Sequence, residues 1–203
     1  ISSVSGGGHV GDVAPFAPVQ QAAALTIDNC AGHLAAMVQG SPDPRRLLII
    51  WHSRTGASAA MARAAADGAG EGACTLVEAS MVRVEALLGS DAFLFVAPEN
   101  LGSLSGAMKE LFDRCYYPLL GRIEGRPYAT IIAAGSDGEG AQRQIDRIVR
   151  GWRLRRVAEP LIANFAADTP EAILAPKSVS PKILKNCEEM GAALAEGLRL
   201  GVF

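Results

Sequence analysis

From Arg45 to the C-terminus, short apolar runs alternate with segments of helical length. Each run has about five to seven residues, as strands do, and the segments between them are long enough to form crossover helices. The alternation therefore predicts a parallel α/β sheet. The predicted strands are Leu47–Trp51, Cys74–Ala79, Ala92–Ala97, Tyr128–Ala134 and a less regular Leu154–Ala163.

The composition of these runs indicates where each strand lies in the sheet. The first and third are almost wholly apolar, as interior strands covered by helices on both faces must be. The fifth contains Arg155, Arg156 and Pro160, and proline cannot donate to a sheet ladder, so we place this strand at an edge. Five strands fit a small doubly wound sheet of order 2-1-3-4-5 with helices on both faces.

The predicted helices carry apolar residues at spacings of three and four. We expect an Ala-rich helix over about Ala59–Asp67, a second over Ala107–Cys115 and a last one after the Ser180-Pro181 cap signal, with a shorter helix after Thr169-Pro170. Two stripes should face the sheet, with both methionines in the core: Leu104, Ala107, Met108, Leu111 and Phe112, and Ile183, Cys187, Met190, Leu194 and Leu198.

Residues 1–44 differ from the rest of the chain, because they contain three aspartates and no Lys or Arg. We interpret them as an N-terminal arm or extension, and residues 45–203 as one ligand-binding domain. Leu25–Val38 is the one helical candidate in the arm. Cys30 and His33 have the spacing of two metal ligands on a helix, but only the distant His9 could join them, so we expect no metal.

Charge and cysteine usage narrow the classes of function. The 203 residues are 49% hydrophobic and carry a formal net charge of −2, so neither a nucleic-acid backbone nor an anionic membrane is an expected partner. No apolar stretch is long enough to span a membrane. Four scattered cysteines, Cys30, Cys74, Cys115 and Cys187, favour reduced thiols and a cytoplasmic location.

The first strand leads into loop 1, His52–Ser58, which carries three hydroxyl groups and one glycine before a helix. Free backbone amides and the helix dipole make such a helix start a phosphate site. A Walker loop and a GxGxxG dinucleotide motif are both absent, so Glu78 at the end of the second strand is interpreted as a solvated acid rather than a ribose ligand. An ordinary capped turn remains the alternative for loop 1.

Two further loops follow strands on the same side of the predicted sheet. Loop 2 is Pro98–Gly106 after the third strand, and loop 3 is Gly135–Gly140 after the fourth. In an open α/β sheet, ligands bind at the carboxyl ends of the strands, near the point where the strand order reverses. The three loops should therefore surround one crevice.

The segments HSRTGAS (His52–Ser58), PENLGSLSGAMKELFDR (Pro98–Arg114) and AAGSDGEG (Ala133–Gly140) resemble the flavodoxin-like superfamily. The resemblance is to its NAD(P)H-dependent FMN oxidoreductases, including quinone reductases of the tryptophan-repressor-binding-protein type, and covers about Arg45 to the C-terminus. It implies a flavodoxin-like fold with FMN as cofactor and NADH or NADPH as co-substrate. The residues implied to surround the FMN phosphate are Ser53, Arg54, Thr55, Gly56, Ala57 and Ser58. Those implied to border the isoalloxazine ring are Pro98, Glu99, Asn100, Leu101 and Gly102 from loop 2, and Ser136, Asp137, Gly138, Glu139 and Gly140 from loop 3.

The expected function is transfer of hydride from a nicotinamide through FMN to a quinone-like or other small acceptor. Electron-carrier flavodoxins often stack an aromatic residue on the flavin ring, but loops 2 and 3 contain none. The ring face should therefore be open, which suits a substrate. The alternative is an electron-transfer module that serves a protein redox partner. The chemistry resides on the cofactor, so no protein residue is required as acid or base, and His52 is only a weak catalytic candidate.

Two expectations concern contacts beyond the cofactor. The family resemblance favours a homodimer or homotetramer. If the arm packs across subunits, removal of residues 1–44 should weaken the assembly. Six arginines between Arg143 and Arg156 form the densest charge in the chain. We interpret them as a solvated surface, with the extra phosphate of NADPH or an acidic partner as the alternative ligand.

Overall fold

The computed structural model describes residues 46–203. The predicted arm helix over Leu25–Val38 and the Cys30, His33 and His9 group lie outside the described residues. The strands are β1 Leu47–Trp51, β2 Cys74–Glu78, β3 Ala92–Asn100, β4 Ser103–Leu104, β5 Pro127–Ala134, β6 Arg155–Arg156 and β7 Leu161–Asn164. The helices are α1 Ala57–Ala69, α2 Val84–Leu88, α3 Gly106–Leu119, α4 Glu139–Gly151, α5 Pro170–Leu174 and α6 Pro181–Leu200, with a 3₁₀ turn at Ala79–Met81.

The sheet confirms the predicted flavodoxin-like order. Its hydrogen-bonded path runs β2-β1-β3-β5-β6, β7 also pairs with β5, and all of these pairs are parallel. The short β4 turns back along the end of β3 as an antiparallel partner. The first and third strands are buried in the interior of the sheet, so the carboxyl ends of β1, β3 and β5 lie side by side.

The prediction of one continuous fifth strand over Leu154–Ala163 is wrong. It consists of two short strands, β6 and β7, which both pair with β5 at the sheet edge. The interruption falls at Val157–Pro160, where the proline has no amide hydrogen for the ladder and restricts the residue before it. The predicted edge position is confirmed.

Other boundaries also shift. β3 continues to Asn100 because Pro98 still pairs in register with Ala133, so the start of loop 2 is strand rather than loop. Helices α1 and α3 extend beyond their predicted ends, α3 as far as Leu119 with Pro118 in its last turn. The predicted caps are confirmed, since the hydroxyls of Thr169 and Ser180 accept hydrogen bonds from backbone amides of α5 and α6. Among residues 46–203, no helix combines the length and hydropathy that a membrane span requires.

Alternate residues of the central strands feed two apolar layers, one on each face of the sheet. Leu48 and Ile50 of β1 face α2, α3 and α4, where Met108 is fully buried as predicted. Leu47 and Ile49 face α1 and α6, where Met190 is partly buried. Helices α1 and α6 approach closely because Gly191 lies against the carbonyl of Ala65, where a Cβ would overlap the backbone.

Candidate functional site

A cavity of about 300 Å³ lies at the carboxyl ends of β1, β3 and β5. All three predicted loops contribute residues to its wall, as expected if they surround one crevice. Eleven of the predicted site residues line the cavity: Ser53, Arg54, Thr55, Ala57, Ser58, Pro98, Glu99, Asn100, Leu101, Gly102 and Ser136. The structure does not place the other predicted residues on the wall: His52, Gly56, Asp137, Gly138, Glu139 and Gly140.

Loop 1 turns directly into α1 at the cavity wall. Gly56 is the N-cap residue of α1 with φ +96°, a left-handed conformation that side chains rarely adopt, and its amide donates to the Ser53 hydroxyl at 3.1 Å. The amides of the first turn have no acceptor within their own helix and point toward its N-terminal end. Loop 1 therefore presents backbone donors and the positive end of the helix dipole to the cavity.

Ser58 is the most informative side chain of loop 1. It is 1% exposed, lines the cavity, and its Oγ has no hydrogen-bond partner among the described residues. Leaving a buried hydroxyl unpaired costs about 1–3 kcal/mol, so such groups usually have a partner. The position indicates a hydroxyl that is available to a ligand.

His52 is not part of the cavity wall, and its ring contacts the start of α3. Its Nδ1 lies 3.0 Å from the hydroxyl of the fully buried Ser105. Partial burial lowers the pKa of His52 below its ordinary value of 6.5, Glu78 opposes this shift and Arg54 adds to it. Glu78 itself is exposed at the end of β2. These contacts indicate a structural role for His52.

Loop 2 forms a tight hairpin between β3 and β4. Leu101 and Gly102 at its tip have φ +53° and +66°, the positive values that a type I′ turn requires. Leucine is unusual there, and its side chain is fully exposed at the cavity rim. The hairpin is fastened to α4 because the Leu104 amide donates to Gln144 Oε1 at 2.8 Å.

Glu99 joins loops 2 and 3. Its carboxylate accepts hydrogen bonds from the amides of Gly138 at 2.9 Å and Ala141 at 3.2 Å, at the start of α4. Gly140 packs against the carbonyl of Gly102, with no room for a Cβ. Loop 3 therefore reaches the wall through Gly135 and Ser136, whereas Gly138 and Gly140 lie behind it and hold the two loops together.

Seven wall residues were not among the predicted flavin contacts, although Gly135 belongs to the predicted loop 3: Ala133, Ala134, Gly135, Phe165, Ala167, Ile173 and Lys177. The first three end β5 or follow it directly. The other four come from the segment that follows β7, which crosses the site because the Phe165 amide donates to the Ala134 carbonyl at 2.8 Å. Applying the carboxyl-end rule to the last strand as well would have identified Phe165, which brings an aromatic ring that loops 2 and 3 lack.

The later part of the arginine cluster, Arg155 and Arg156, lies at the opposite end of the sheet. Arg155 pairs in register with Pro127, the first residue of β5, whereas the cavity is at the last residues of that strand. Arg156 is paired with Asp146 at 3.0 Å and Arg153 with Glu124 at 3.1 Å. The placement supports the interpretation of this part of the cluster as a solvated surface.

Comparisons with known proteins agree with this geometry. Residues 67–164 match the family described as NADPH-dependent FMN reductase. This match supports an FMN-dependent oxidoreductase and indicates flavin as the bound cofactor. No curated protein sequence matches the chain significantly.

Solved structures similar to the chain share its fold at low sequence identity. A flavodoxin from the domain Archaea has a TM-score of 0.60 at 17% identity, over 76% of this chain and 99% of its own. A WrbA-like flavodoxin from Agrobacterium tumefaciens has a TM-score of 0.62 at 18% identity, over 77% of this chain and 98% of its own. A flavone reductase has a TM-score of 0.61 at 17% identity, over 76% of this chain and 63% of its own. The chain therefore has a flavodoxin-like fold, and its residues 67–164 match the NADPH-dependent FMN reductase family, which confirms the resemblance inferred from sequence.

Proposed function

We propose that the protein is an FMN-dependent NAD(P)H oxidoreductase. When bound, FMN accepts hydride from a nicotinamide and passes two electrons to a quinone-like or other small acceptor. The observation that carries this proposal is the buried, unpaired hydroxyl of Ser58 on the cavity wall, at the start of α1. A phosphate at this helix start would supply the acceptor that the hydroxyl lacks.

The residues present fit FMN at both of its ends. Ser53, Thr55 and Ser58, with the first-turn amides of α1, would hold the phosphate with neutral donors, and Arg54 would add positive charge at the exposed rim. Loop 2 from Pro98 to Gly102 would border the ring. Gly135 and Ser136 of loop 3 would border it from the neighbouring strand.

Apolar side chains also lie on the cavity wall. Leu101, Phe165 and Ile173 all lie on the wall, so the open ring face expected from loops 2 and 3 alone must share the cavity with one aromatic and two aliphatic side chains. Apolar walls exclude water from the reacting atoms and leave a flat surface for a nicotinamide or an acceptor. The protein then binds and orients both substrates in turn, with no side chain required to move a proton.

An electron-transfer module without its own small substrate is the rival function, and a domain that binds no flavin is the third. A single series of visible spectra separates them. Purified protein is reconstituted with FMN, freed of excess cofactor, and titrated with NADPH and then NADH without oxygen.

We expect retained flavin absorbance and bleaching of the visible band of oxidised flavin by at least one of the two nicotinamides. Retention without bleaching by either would favour the electron-transfer module. Failure to retain FMN would refute the proposed cofactor.

We also propose that the protein self-associates and that residues 1–44 contribute to assembly as an arm. The fully exposed Leu101, together with the exposed Ile173 and Leu174, places apolar surface at the cavity rim. Removal of residues 1–44 should reduce the number of chains per particle, obtained from light scattering and the mass of one chain, while leaving the FMN spectrum unchanged. An unchanged number of chains would refute the role of the arm. We keep a cytoplasmic location as a proposal, supported by the free thiols of Cys74, Cys115 and Cys187.

A further inference from the structure

Lys177 lies in the connection between α5 and α6 and lines the cavity. Its amide donates to the carbonyl of Thr55 at 2.8 Å. Its own carbonyl stands over Gly56, 3.9 Å from where a Cβ would be. The backbone of Lys177 is therefore fixed against loop 1, although the two segments are more than a hundred residues apart in the sequence.

The ammonium group of Lys177 is held by carbonyl oxygens at the end of α5. Nζ donates to the carbonyls of Ala175 at 2.8 Å and Ile173 at 3.3 Å, and also to that of Ala172. Within residues 46–203 no carboxylate forms an ion pair with it. Lys177, a residue of the cavity wall, thus carries a positive charge that faces the partial negative charges of carbonyls at the end of α5.

A purely structural role for Lys177, as a cap of a helix end, has a parallel at Arg126 in the same molecule. Arg126 donates to the carbonyls of Leu87 and Leu88, both at 2.9 Å, at the end of α2. Arg126 does not line the cavity, whereas Lys177 does. The two roles of Lys177, helix cap and ligand contact, predict different responses to the charge of the ligand.

We propose that Lys177 is a specificity-determining residue that supplies the counter-charge for the 5′-phosphate of the flavin, so that the site prefers FMN to riboflavin. This inference rests on the proposed flavin-binding function. A phosphate dianion that leaves water needs positive charge as well as neutral donors. Ser58 and the amides of α1 are neutral, and Arg54 is exposed to solvent. Lys177 is the half-buried cation on this wall.

The test compares FMN with riboflavin on Lys177→Gln and on two further variants of the full chain. Lys177→Arg keeps the charge, and Lys182→Gln makes the same charge change at an exposed residue in the first turn of α6. Quenching of flavin fluorescence gives both dissociation constants, and thermal unfolding of the ligand-free protein reports the fold.

Because all three N–H groups of Nζ already donate to carbonyls, we expect Lys177→Gln to act by removing the counter-charge, to weaken FMN by about tenfold, and to leave riboflavin unchanged. Lys177→Arg should retain most of the preference for FMN, and Lys182→Gln should match the wild type. Should Lys177→Gln unfold, Lys177→Met, which keeps an unbranched apolar stem, is measured by the same FMN-to-riboflavin ratio.

Three outcomes would overturn the inference, and they differ in what else they affect. Equal losses of FMN and riboflavin would mean that Lys177 only caps α5. Undiminished FMN affinity in Lys177→Gln would remove Lys177 from the phosphate site but leave the proposed function intact. A wild-type protein that binds neither flavin would refute the proposed function itself.

Discussion

At the carboxyl ends of the strands the polar groups are mainly hydroxyls and backbone amides, whereas at the amino ends they are guanidinium and carboxylate groups. Ser53, Thr55 and Ser58 line the first region. Arg153 and Arg156 lie in the second, where both form ion pairs with carboxylates. The two ends are separated by the length of β5, which at about 3.3 Å per residue is roughly 20–25 Å.

Burial distinguishes these two regions more than charge does. Ser58 is 1% exposed, whereas the side chains of Arg153 and Arg156 are 74% and 40% exposed. Exposed ion pairs contribute about 0–1 kcal/mol because water competes with them. Water does not compete for a buried donor at a helix start. If the proposed phosphate site is correct, neutral donors there, with Lys177 as the proposed counter-charge, would bind an anion better than the exposed arginines do. The density of charge in a sequence would then be a poor guide to its anion site.

The largest effect should come from Gly56→Val. Gly56 has φ +96°, and a Cβ there would meet only the Lys177 carbonyl at 3.9 Å, so the cost is backbone strain rather than a clash. Strain of about 1–3 kcal/mol would shift loop 1 to another conformation and turn its amides away from the phosphate. We expect FMN affinity to fall by more than about a hundredfold, or about 2.7 kcal/mol, while riboflavin binding is retained.

Gly72→Val is the matched control for this change. Gly72 has φ +76° with open space around it and does not line the cavity, so it should show the loss of stability without the loss of FMN. Fluorescence titration with both flavins measures the difference. Wild-type FMN affinity in Gly56→Val would show that the phosphate lies elsewhere.

Ser58→Ala should have the next largest effect. It should lower the affinity for FMN without lowering the stability of the ligand-free protein. Without its hydroxyl, the site loses one hydrogen bond to a charged group, so FMN affinity should fall by about ten- to a hundredfold, or roughly 1.5–3 kcal/mol. The ligand-free protein should not be destabilised, because the hydroxyl is buried without a partner. A lower melting temperature with unchanged FMN affinity would contradict both statements.

Thr55→Ala tests the same region at a more exposed position. Its hydroxyl should also favour FMN over riboflavin, with a loss in the same range of about ten- to a hundredfold. Parallel titrations with the two flavins check this. Equal losses for both ligands would indicate a general disturbance of loop 1 rather than a missing phosphate contact.

Glu99→Ala should act on stability more than on affinity. The carboxylate caps two amides at the start of α4, and loss of a helix cap costs about 1–2 kcal/mol, which lowers the melting temperature by roughly 2–8 °C in a domain of this size. The control is Glu139→Ala on the same helix, since Glu139 is exposed and 3.9 Å from Arg143. Equal decreases in the melting temperature of the two variants, measured by calorimetry, would mean that the Glu99 cap does not stabilise the protein more than an exposed glutamate does.

The fold was largely predictable because local patterns determine it. An apolar run flanked by polar residues located β1 to the residue, and Thr169 and Ser180 marked two helix starts. Errors arose where tertiary pairing overrides local preference. Pro98 suggested a loop but pairs within β3, and Pro160 interrupts a strand that was predicted as continuous.

The candidate site was predictable only where it lies next to a recognisable strand. Loops 1 and 2 follow the apolar strands β1 and β3, so their residues were found from sequence. Lys177 follows a short helix and reaches the cavity through a hydrogen bond to Thr55. No periodicity or motif encodes that long-range contact, and the carbonyl partners of the lysine became visible only in the folded chain.

The smallest effect is expected from the double variant Arg150→Gln and Arg155→Gln, which tests whether the amino end of the sheet has any part in binding the nicotinamide. Arg150 lies in the last turn of α4 and Arg155 opposite the first residue of β5, away from the cavity. Within the described part of the chain, neither forms an ion pair with a carboxylate, so removal of their charges breaks no such pair. At a separation well beyond the Debye length of about 8 Å, their field at the cavity is screened. The ratio of kcat/KM for NADPH to that for NADH should therefore change by less than about twofold, or about 0.4 kcal/mol. A selective loss of NADPH activity of about tenfold would show that these arginines contact the extra phosphate and that the two ends of the sheet are not separate in function.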